Sequence, residues 1–189
     1  MTVNFLKKSL ALPIFLISLG ANAHISPGLW STDCLKGLKK EQIYRTKSVL
    51  TIERFHADGQ CTQPAYVFST DGRVEFPAED QTYIDFVYVS ISLTLYKDDI
   101  KENFNRREVC GLKNWKVAVP QEITGRSCAI FSEKPAQIPA AGDLRYGIYS
   151  ADDRKLYYGQ LSQQSDGSSP SARPTTFNRT IEYIFQHSL

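Results

Sequence analysis

The sequence predicts an all-β protein, an antiparallel lipocalin-like β-barrel of about eight strands with one short helix and two disulfides. Segments in which apolar and polar residues alternate recur along the chain, which is the period of half-buried strands. Strand and helix patterns do not alternate, which argues against a parallel sheet. Ten Tyr, ten Phe and two Trp supply apolar surface that a closed barrel buries without leaving strand edges. A two-sheet sandwich is the nearest alternative.

The first 23 residues predict export. Lys7 and Lys8 precede an apolar stretch over 10–19, and Ala21-Asn22-Ala23 then forms a small-residue cleavage site. The apolar stretch is too short for a membrane span, which needs roughly 20 residues. We therefore expect a cleaved signal peptide over 1–23, one barrel domain over 24–189 and no transmembrane anchor. The protein would be periplasmic or secreted.

The charge balance of the predicted mature chain argues against a nucleic-acid partner. Without Lys7 and Lys8, the 22 basic residues fall to 20, which equals the number of acidic residues. A neutral domain lacks the excess of basic residues that nucleic-acid and anionic-lipid binding require.

Four cysteines follow the predicted cleavage site, as is typical of a protein that folds in an oxidising compartment. They allow three pairings. We favour Cys34–Cys61 and Cys110–Cys128, because each pair closes a short local loop and the two loops do not cross. Neither the CxxC spacing of redox sites nor a metal-ligand spacing is present. We expect structural disulfides, no metal and no cofactor.

Individual strands follow from alternation and turn signals. We expect one strand over 43–55, a hairpin around Asp71-Gly72 and a long strand over 83–96. A straight strand of that length would be too long for a small domain, so a bulge or bend is expected in it.

The second half of the chain adds a helix and a further hairpin. Asp99 is expected to cap the helix, Ile100 and Phe104 to form its buried face, and Gly111 to end it. A hairpin is expected around Asp152-Asp153, a loop over 165–174 and a last strand over 177–185.

Catalytic motifs are absent from the sequence, so we expect no enzyme activity. His56 and Asp58 could belong to an acid–base or metal site, but a turn explains them more simply. Asp98 and Asp99 could form a carboxylate pair, although helix capping is the simpler interpretation. A hydrolase with an unrecognised site is the least favoured alternative.

The aromatic content favours a binding function. Barrels of this size can hold one small apolar molecule, and an interior filled by its own side chains is the alternative. The expected ligand-binding residues are Tyr44, Leu50, Phe68, Val89 and Ile91. A competing hypothesis is a protein-interaction module or homodimer, in which Ile84, Phe86 and Tyr88 form an exposed apolar patch.

Two longer stretches of the chain contain distinctive motifs. The first contains Gly28-Leu29-Trp30-Ser31, Cys34 and Cys61-Thr62-Gln63-Pro64. The second contains Cys110-Gly111-Leu112-Lys113-Asn114-Trp115, Cys128, Asp166-Gly167-Ser168-Ser169 and Arg173-Pro174-Thr175. Together these motifs resemble the adenomatosis polyposis coli down-regulated domain family.

This resemblance covers nearly the whole predicted mature chain. It implies an exported, disulfide-bonded, non-enzymatic barrel that accommodates a lipid chain. The animal members of the family carry two copies of the domain and a membrane anchor, and are tied to antagonism of Wnt signalling. With one copy here, a site between two barrels would require a dimer, and the signalling role is not carried over.

Overall fold

The computed structural model describes residues 25–130 and 133–189. The predicted signal peptide and His24 lie outside the described residues. The strands are β1 Gly28–Ser31, β2 Leu38–Tyr44, β3 Ser48–His56, β4 Pro64–Glu75, β5 Tyr83–Leu95, β6 Gln121–Glu122, β7 Ser127–Cys128, β8 Ala136–Gln137, β9 Leu144–Ala151, β10 Lys155–Tyr158 and β11 Tyr183–His187. The helix α1 spans Asp98–Arg106.

Eight of these strands close into an antiparallel barrel. Strands β1 to β5, β9, β10 and β11 pair in chain order, and β11 pairs with β1 to complete the ring. This up-and-down order is the one that eight-stranded lipocalins use. The predicted barrel is confirmed over the sandwich.

Residues 96–143 form an insertion between β5 and β9. It contains α1, the short strand β6 beside β5, and the hairpin of β7 and β8. Phe104, Trp115 and Ile123 of the insertion are buried against Leu93 and Leu95 of β5. The described residues therefore form two hydrophobic clusters, one inside the barrel around Trp30 and one beneath the insertion.

Both predicted disulfides are present. Cys34–Cys61 joins the connection between β1 and β2 to the connection between β3 and β4. Cys110–Cys128 lies within the insertion and joins the turn after α1 to β7. Each bridge therefore holds together segments at the end of the barrel where the insertion lies.

The single strand expected over 43–55 is wrong, because this segment contains a turn. Strand β2 ends at Tyr44 and β3 begins at Ser48, and the Arg45 N–H donates to the Ser48 carbonyl at 2.8 Å. The turn residues Arg45, Thr46 and Lys47 include neither Gly nor Pro, so the sequence carried no turn signal there.

The hairpin expected at Asp71-Gly72 is also wrong, because β4 runs straight through both residues. Gly72 is needed there for a close approach. A Cβ atom on it would overlap the ring of Phe86 on β5. Glycine within a strand often marks such an approach, in place of a turn.

The bulge expected in the long strand is confirmed. Asp71 pairs with Ser90 and Gly72 pairs with Tyr88, which leaves Val89 as the extra residue of β5. The bulge shifts the alternation by one residue. As a result Ile84 and Phe86 before it lie on the same face of the sheet as Ile91 and Leu93 after it.

The helix and the last strand differ from expectation at their ends. Lys97 is the N-cap of α1, and the Asp99 carboxylate accepts a hydrogen bond from the Ile100 N–H inside the first turn. The helix ends at Arg106, and a separate 3₁₀ turn spans Val109–Gly111. Phe104 is buried as expected.

The hairpin around Asp152-Asp153 is confirmed, whereas β11 begins only at Tyr183.

Candidate ligand-binding site

The inner faces of β2 and β3 place polar side chains inside the barrel. The register pairs Tyr44 with Val49, both of which are buried in the barrel core, and alternate residues share that face. Lys40 is therefore opposite Glu53 on the same inner face. We call the following residues the polar cluster: Lys40, Gln42, Tyr44, Glu53, Tyr158 and Tyr183.

Hydrogen bonds connect the members of the polar cluster across the barrel. The Tyr158 hydroxyl donates to Gln42 Oε1. The Tyr158 hydroxyl oxygen also lies 2.5 Å from the Tyr44 hydroxyl oxygen. Because Tyr158 donates its own hydrogen to Gln42, Tyr44 is the donor in this second bond. Separately, Lys40 Nζ donates to Glu53 Oε1 at 2.5 Å. These bonds tie β2 to β3 and β10 through the interior.

The tyrosines of the polar cluster remain uncharged over the physiological pH range. Burial is the main cause that raises the pKa of Tyr44, Tyr158 and Tyr183 above the ordinary value for tyrosine. The neighbouring Tyr44 raises the pKa of Tyr158 further, and the Glu53 carboxylate does the same for Tyr183. All three therefore act as neutral hydrogen-bonding groups.

Tyr183 differs from the other two tyrosines in having an uncommitted hydroxyl. Its side chain is only 5% exposed, and its ring packs edge-on against Tyr158 with 5.6 Å between centroids. Within the part of the chain that the structure describes, its hydroxyl makes no hydrogen bond. Because Tyr183 lines a cavity, its hydroxyl is available to bond a ligand there.

Two adjoining cavities meet at the polar cluster. The larger, of about 370 Å³, is lined by Lys40, Tyr158, Gly159, Gln160, Leu161, Asn178, Ile181 and Tyr183. The smaller, of about 200 Å³, reaches Tyr44, Val49, Ile84 and Phe86. Tyr158, Gly159 and Leu161 line both cavities. The first cavity is thus polar at Lys40 and Tyr183, and the second is mainly apolar.

Further cavities lie at the two ends of the barrel. One of about 270 Å³ lies between Phe55 and Phe68 of the barrel and the β7–β8 hairpin of the insertion. Another of about 730 Å³ lies at the opposite end, where exposed Arg45, Lys47 and Arg73 surround it. Neither reaches the hydroxyl of Tyr183, so the candidate site is the pair of cavities at the polar cluster.

The five residues expected from the sequence to bind ligand do not come together. Tyr44 lines the smaller cavity, and Phe68 lines the cavity beneath the insertion. Ile91 is buried in the cluster beneath the insertion. Leu50 alternates with the inward Val49 and so faces outward, and Val89 at the bulge is 44% exposed.

The sequence reasoning missed most of the polar cluster. Lys40 and Gln42 belong to the run Lys39-Lys40-Glu41-Gln42, whose composition is typical of a solvated surface. The available signal was the alternation of Lys40, Gln42 and Tyr44, which becomes visible once β2 is recognised as a separate strand.

The apolar patch expected for a protein partner is not exposed. Ile84 is buried in the barrel core, and Phe86 packs against that core. Tyr88 packs against the cluster beneath the insertion, and its ring centroid is 4.8 Å from that of Phe86. These side chains lie on the inner face of β5.

His56 is the last residue of β3 and Asp58 lies in the turn that follows it, so the turn interpretation holds for Asp58. The His56 ring contacts the Gly37 carbonyl through Nδ1 at 3.1 Å. The Asp58 carboxylate accepts hydrogen bonds from Thr62 and from the Gln63 N–H, and the bond from the Thr62 side chain is the main cause that lowers its pKa. Among residues 25–130 and 133–189, no three potential metal-ligating side chains cluster.

Comparison with known proteins adds no family to this description. No protein-family model matches the chain, and no curated protein matches it significantly. The resemblance to the adenomatosis polyposis coli down-regulated domain family stays a prediction. None of the helices in the described ranges is both long and apolar enough to cross a membrane. Fold and site define a closed antiparallel barrel with an internal polar cluster beside an apolar cavity.

Proposed function

We propose that this protein is an exported, non-enzymatic binding protein that holds a small molecule with an apolar body, such as a fatty acyl chain, inside its barrel. The observation that carries the proposal is the pair of adjoining cavities at the polar cluster. Ligand sites are concave and mostly apolar, with a few polar groups that orient the ligand. The predicted signal peptide and the two disulfides support export.

The two cavities offer different surfaces to the two ends of such a molecule. The apolar body would contact Val49, Ile84 and Phe86 in the smaller cavity. The polar end would lie in the larger cavity, near Lys40 and Tyr183. The larger volume of about 370 Å³ falls within the roughly 300–1,000 Å³ typical of ligand pockets, whereas the smaller falls below it. This favours a short or slender ligand.

The chemistry of the lining residues supports binding without catalysis. The described residues that line the two cavities include no His, Cys or Ser. The one Lys among them, Lys40, is held in an ion pair with Glu53 and is therefore not available as a nucleophile or base.

Native mass spectrometry of the mature protein, purified from its own source, tests the proposal. We expect an added mass of a few hundred daltons that organic extraction removes. A protein that carries no added mass and takes up none of a panel of medium-chain lipids would contradict it. A doubled protein mass would instead indicate a dimer.

A matched pair of variants tests where the ligand lies. Val49→Phe fills part of the smaller cavity, because Val49 is almost completely buried and points into it. Leu50→Phe makes a similar change on the outer face of the same strand. We expect Val49→Phe to weaken binding at least about tenfold and Leu50→Phe to leave it unchanged. Circular dichroism checks that both variants fold.

A further inference from the structure

We infer that the polar end of the ligand is an uncharged hydrogen-bonding group, such as an alcohol, ester or amide, and not a carboxylate or phosphate. This inference rests on the proposed function, because it concerns the ligand of the same two cavities. It is drawn from the charges and hydrogen bonds of the polar cluster.

The cation in the larger cavity is already neutralised. Lys40 is the one charged residue among the described residues that line it. Its Nζ lies 2.5 Å from Glu53 Oε1, and the two side chains are only 20% and 32% exposed. A ligand carboxylate would bring a second negative charge beside Glu53, and the single ammonium group would then have to balance two anions. Partial burial makes such an excess charge costly.

The hydrogen-bonding groups in the same cavity are neutral. The hydroxyl hydrogens of Tyr44 and Tyr158 are both used within the polar cluster, because Tyr44 donates to Tyr158 and Tyr158 donates to Gln42. The Tyr183 hydroxyl, which makes no hydrogen bond among the described residues, remains available, and the side-chain amides of Gln160 and Asn178 line the same cavity. These neutral donors match a neutral acceptor, such as a carbonyl or hydroxyl oxygen.

Arg145 is the other cation close to the site, and it is engaged elsewhere. It lies at the edge of the smaller cavity and also borders the groove at Gly167 and Ser168. Its Nη1 donates to the Asp166 carbonyl at 3.1 Å, and its charge interacts with the Asp166 carboxylate. The rest of the smaller cavity is mainly apolar, so no unbalanced cation faces the ligand there.

Three ligands of equal chain length test this inference, namely 1-decanol, methyl decanoate and decanoate. Their affinities are measured at pH 8 by native mass spectrometry and titration calorimetry. We expect the two neutral compounds to bind at least about tenfold more tightly than decanoate. Equal or tighter binding of decanoate would overturn the inference and leave the proposed function standing. Failure of all three to bind would overturn both.

Variants of the polar cluster test the physical cause. Glu53→Gln leaves Lys40 without its counter-ion, and we expect the affinity for decanoate relative to that for 1-decanol to rise about tenfold. Adding Lys40→Met to that variant should abolish the gain. Tyr183→Phe should weaken 1-decanol by about three- to tenfold, the effect of one neutral hydrogen bond. A Glu53→Gln protein that folds but still disfavours decanoate as strongly as the wild type would refute the argument.

Discussion

Arg173 Nη1 lies 2.7 Å from Asp85 Oδ1, with the two side chains only 10% and 12% exposed. The same nitrogen donates a hydrogen bond to the Gly147 carbonyl of β9 at 2.6 Å, and the guanidinium lies 4.1 Å from the centre of the Tyr83 ring. Arg173 therefore fastens the segment before β11 to the outer surface of β5 and β9. Without this contact the last strand would be held mainly by its pairing with β1 and β10.

The buried pair predicts strong coupling between its two members. Removing one partner leaves an uncompensated buried charge, so Arg173→Met should lower the free energy of unfolding by about 3–5 kcal/mol. The double variant Arg173→Met/Asp85→Asn should recover part of that loss. Urea unfolding of both single variants and the double variant measures the coupling. Strictly additive effects would contradict it.

The buried tyrosines predict a loss of stability in alkali. Burial raises the pKa of Tyr183 in the folded protein, so the unfolded chain releases this proton first. The contribution of Tyr183 to stability is therefore complete below about pH 10 and decreases as the pH rises further. Above pH 10 the unfolding free energy of the Tyr183→Phe variant should fall less steeply with pH than that of the wild type, by about 1.4 kcal/mol per pH unit.

Denaturant unfolding of the wild type and Tyr183→Phe between pH 8 and pH 11.5 measures this difference. Tyr183→Phe is preferable to Tyr158→Phe, because Tyr158 also bonds Gln42 and Tyr44. Below pH 9 the two stability curves should run parallel. Parallel curves above pH 10 as well would show that Tyr183 ionises equally in the folded and unfolded states.

The disulfide between Cys34 and Cys61 predicts a large effect on stability. The two cysteines are 27 residues apart, and in the chain-entropy model a loop of that length contributes about 3.5 kcal/mol. The double variant Cys34→Ala/Cys61→Ala should lose about that amount in chemical denaturation. Full retention of stability would indicate that the unfolded chain keeps these segments together without the bridge.

Gly72 predicts a steric effect on the candidate site. A Cβ atom at this position would overlap the ring of Phe86, which lines the smaller cavity. Gly72→Ala should therefore destabilise the fold by about 1–3 kcal/mol and displace the ring. Gly59→Ala is the control, because nothing lies within 4 Å of its added Cβ. Thermal unfolding and Phe86 ring resonances in NMR spectra measure the two effects.

The double variant Gly72→Ala/Phe86→Leu tests whether the ring is the cause. A smaller side chain at position 86 should relieve the overlap and restore part of the stability. Equal destabilisation in the presence and absence of the Phe86 ring would place the strain in the backbone instead.

Local pattern accounts for the parts of the fold that the sequence predicted. The barrel, both disulfides and the bulge in β5 follow from alternation, loop lengths and strand length. The turn at 45–47 was missed because its residues carry no turn signature. Gly72 was assigned to a turn, because a glycine that permits a turn cannot be distinguished in the sequence from a glycine that makes room for an aromatic ring.

The alternation of side chains along each strand is a local property of the backbone, and the sequence alone was enough to recognise it. Which face of each strand encloses the interior depends on closure of the ring and on register. These bring Lys40 opposite Glu53 and Tyr158 against Tyr44, although the tyrosines lie 114 residues apart. Pairing over such a distance is set by the packing of the whole barrel, so the polar cluster and its unpartnered Tyr183 hydroxyl became apparent only in three dimensions.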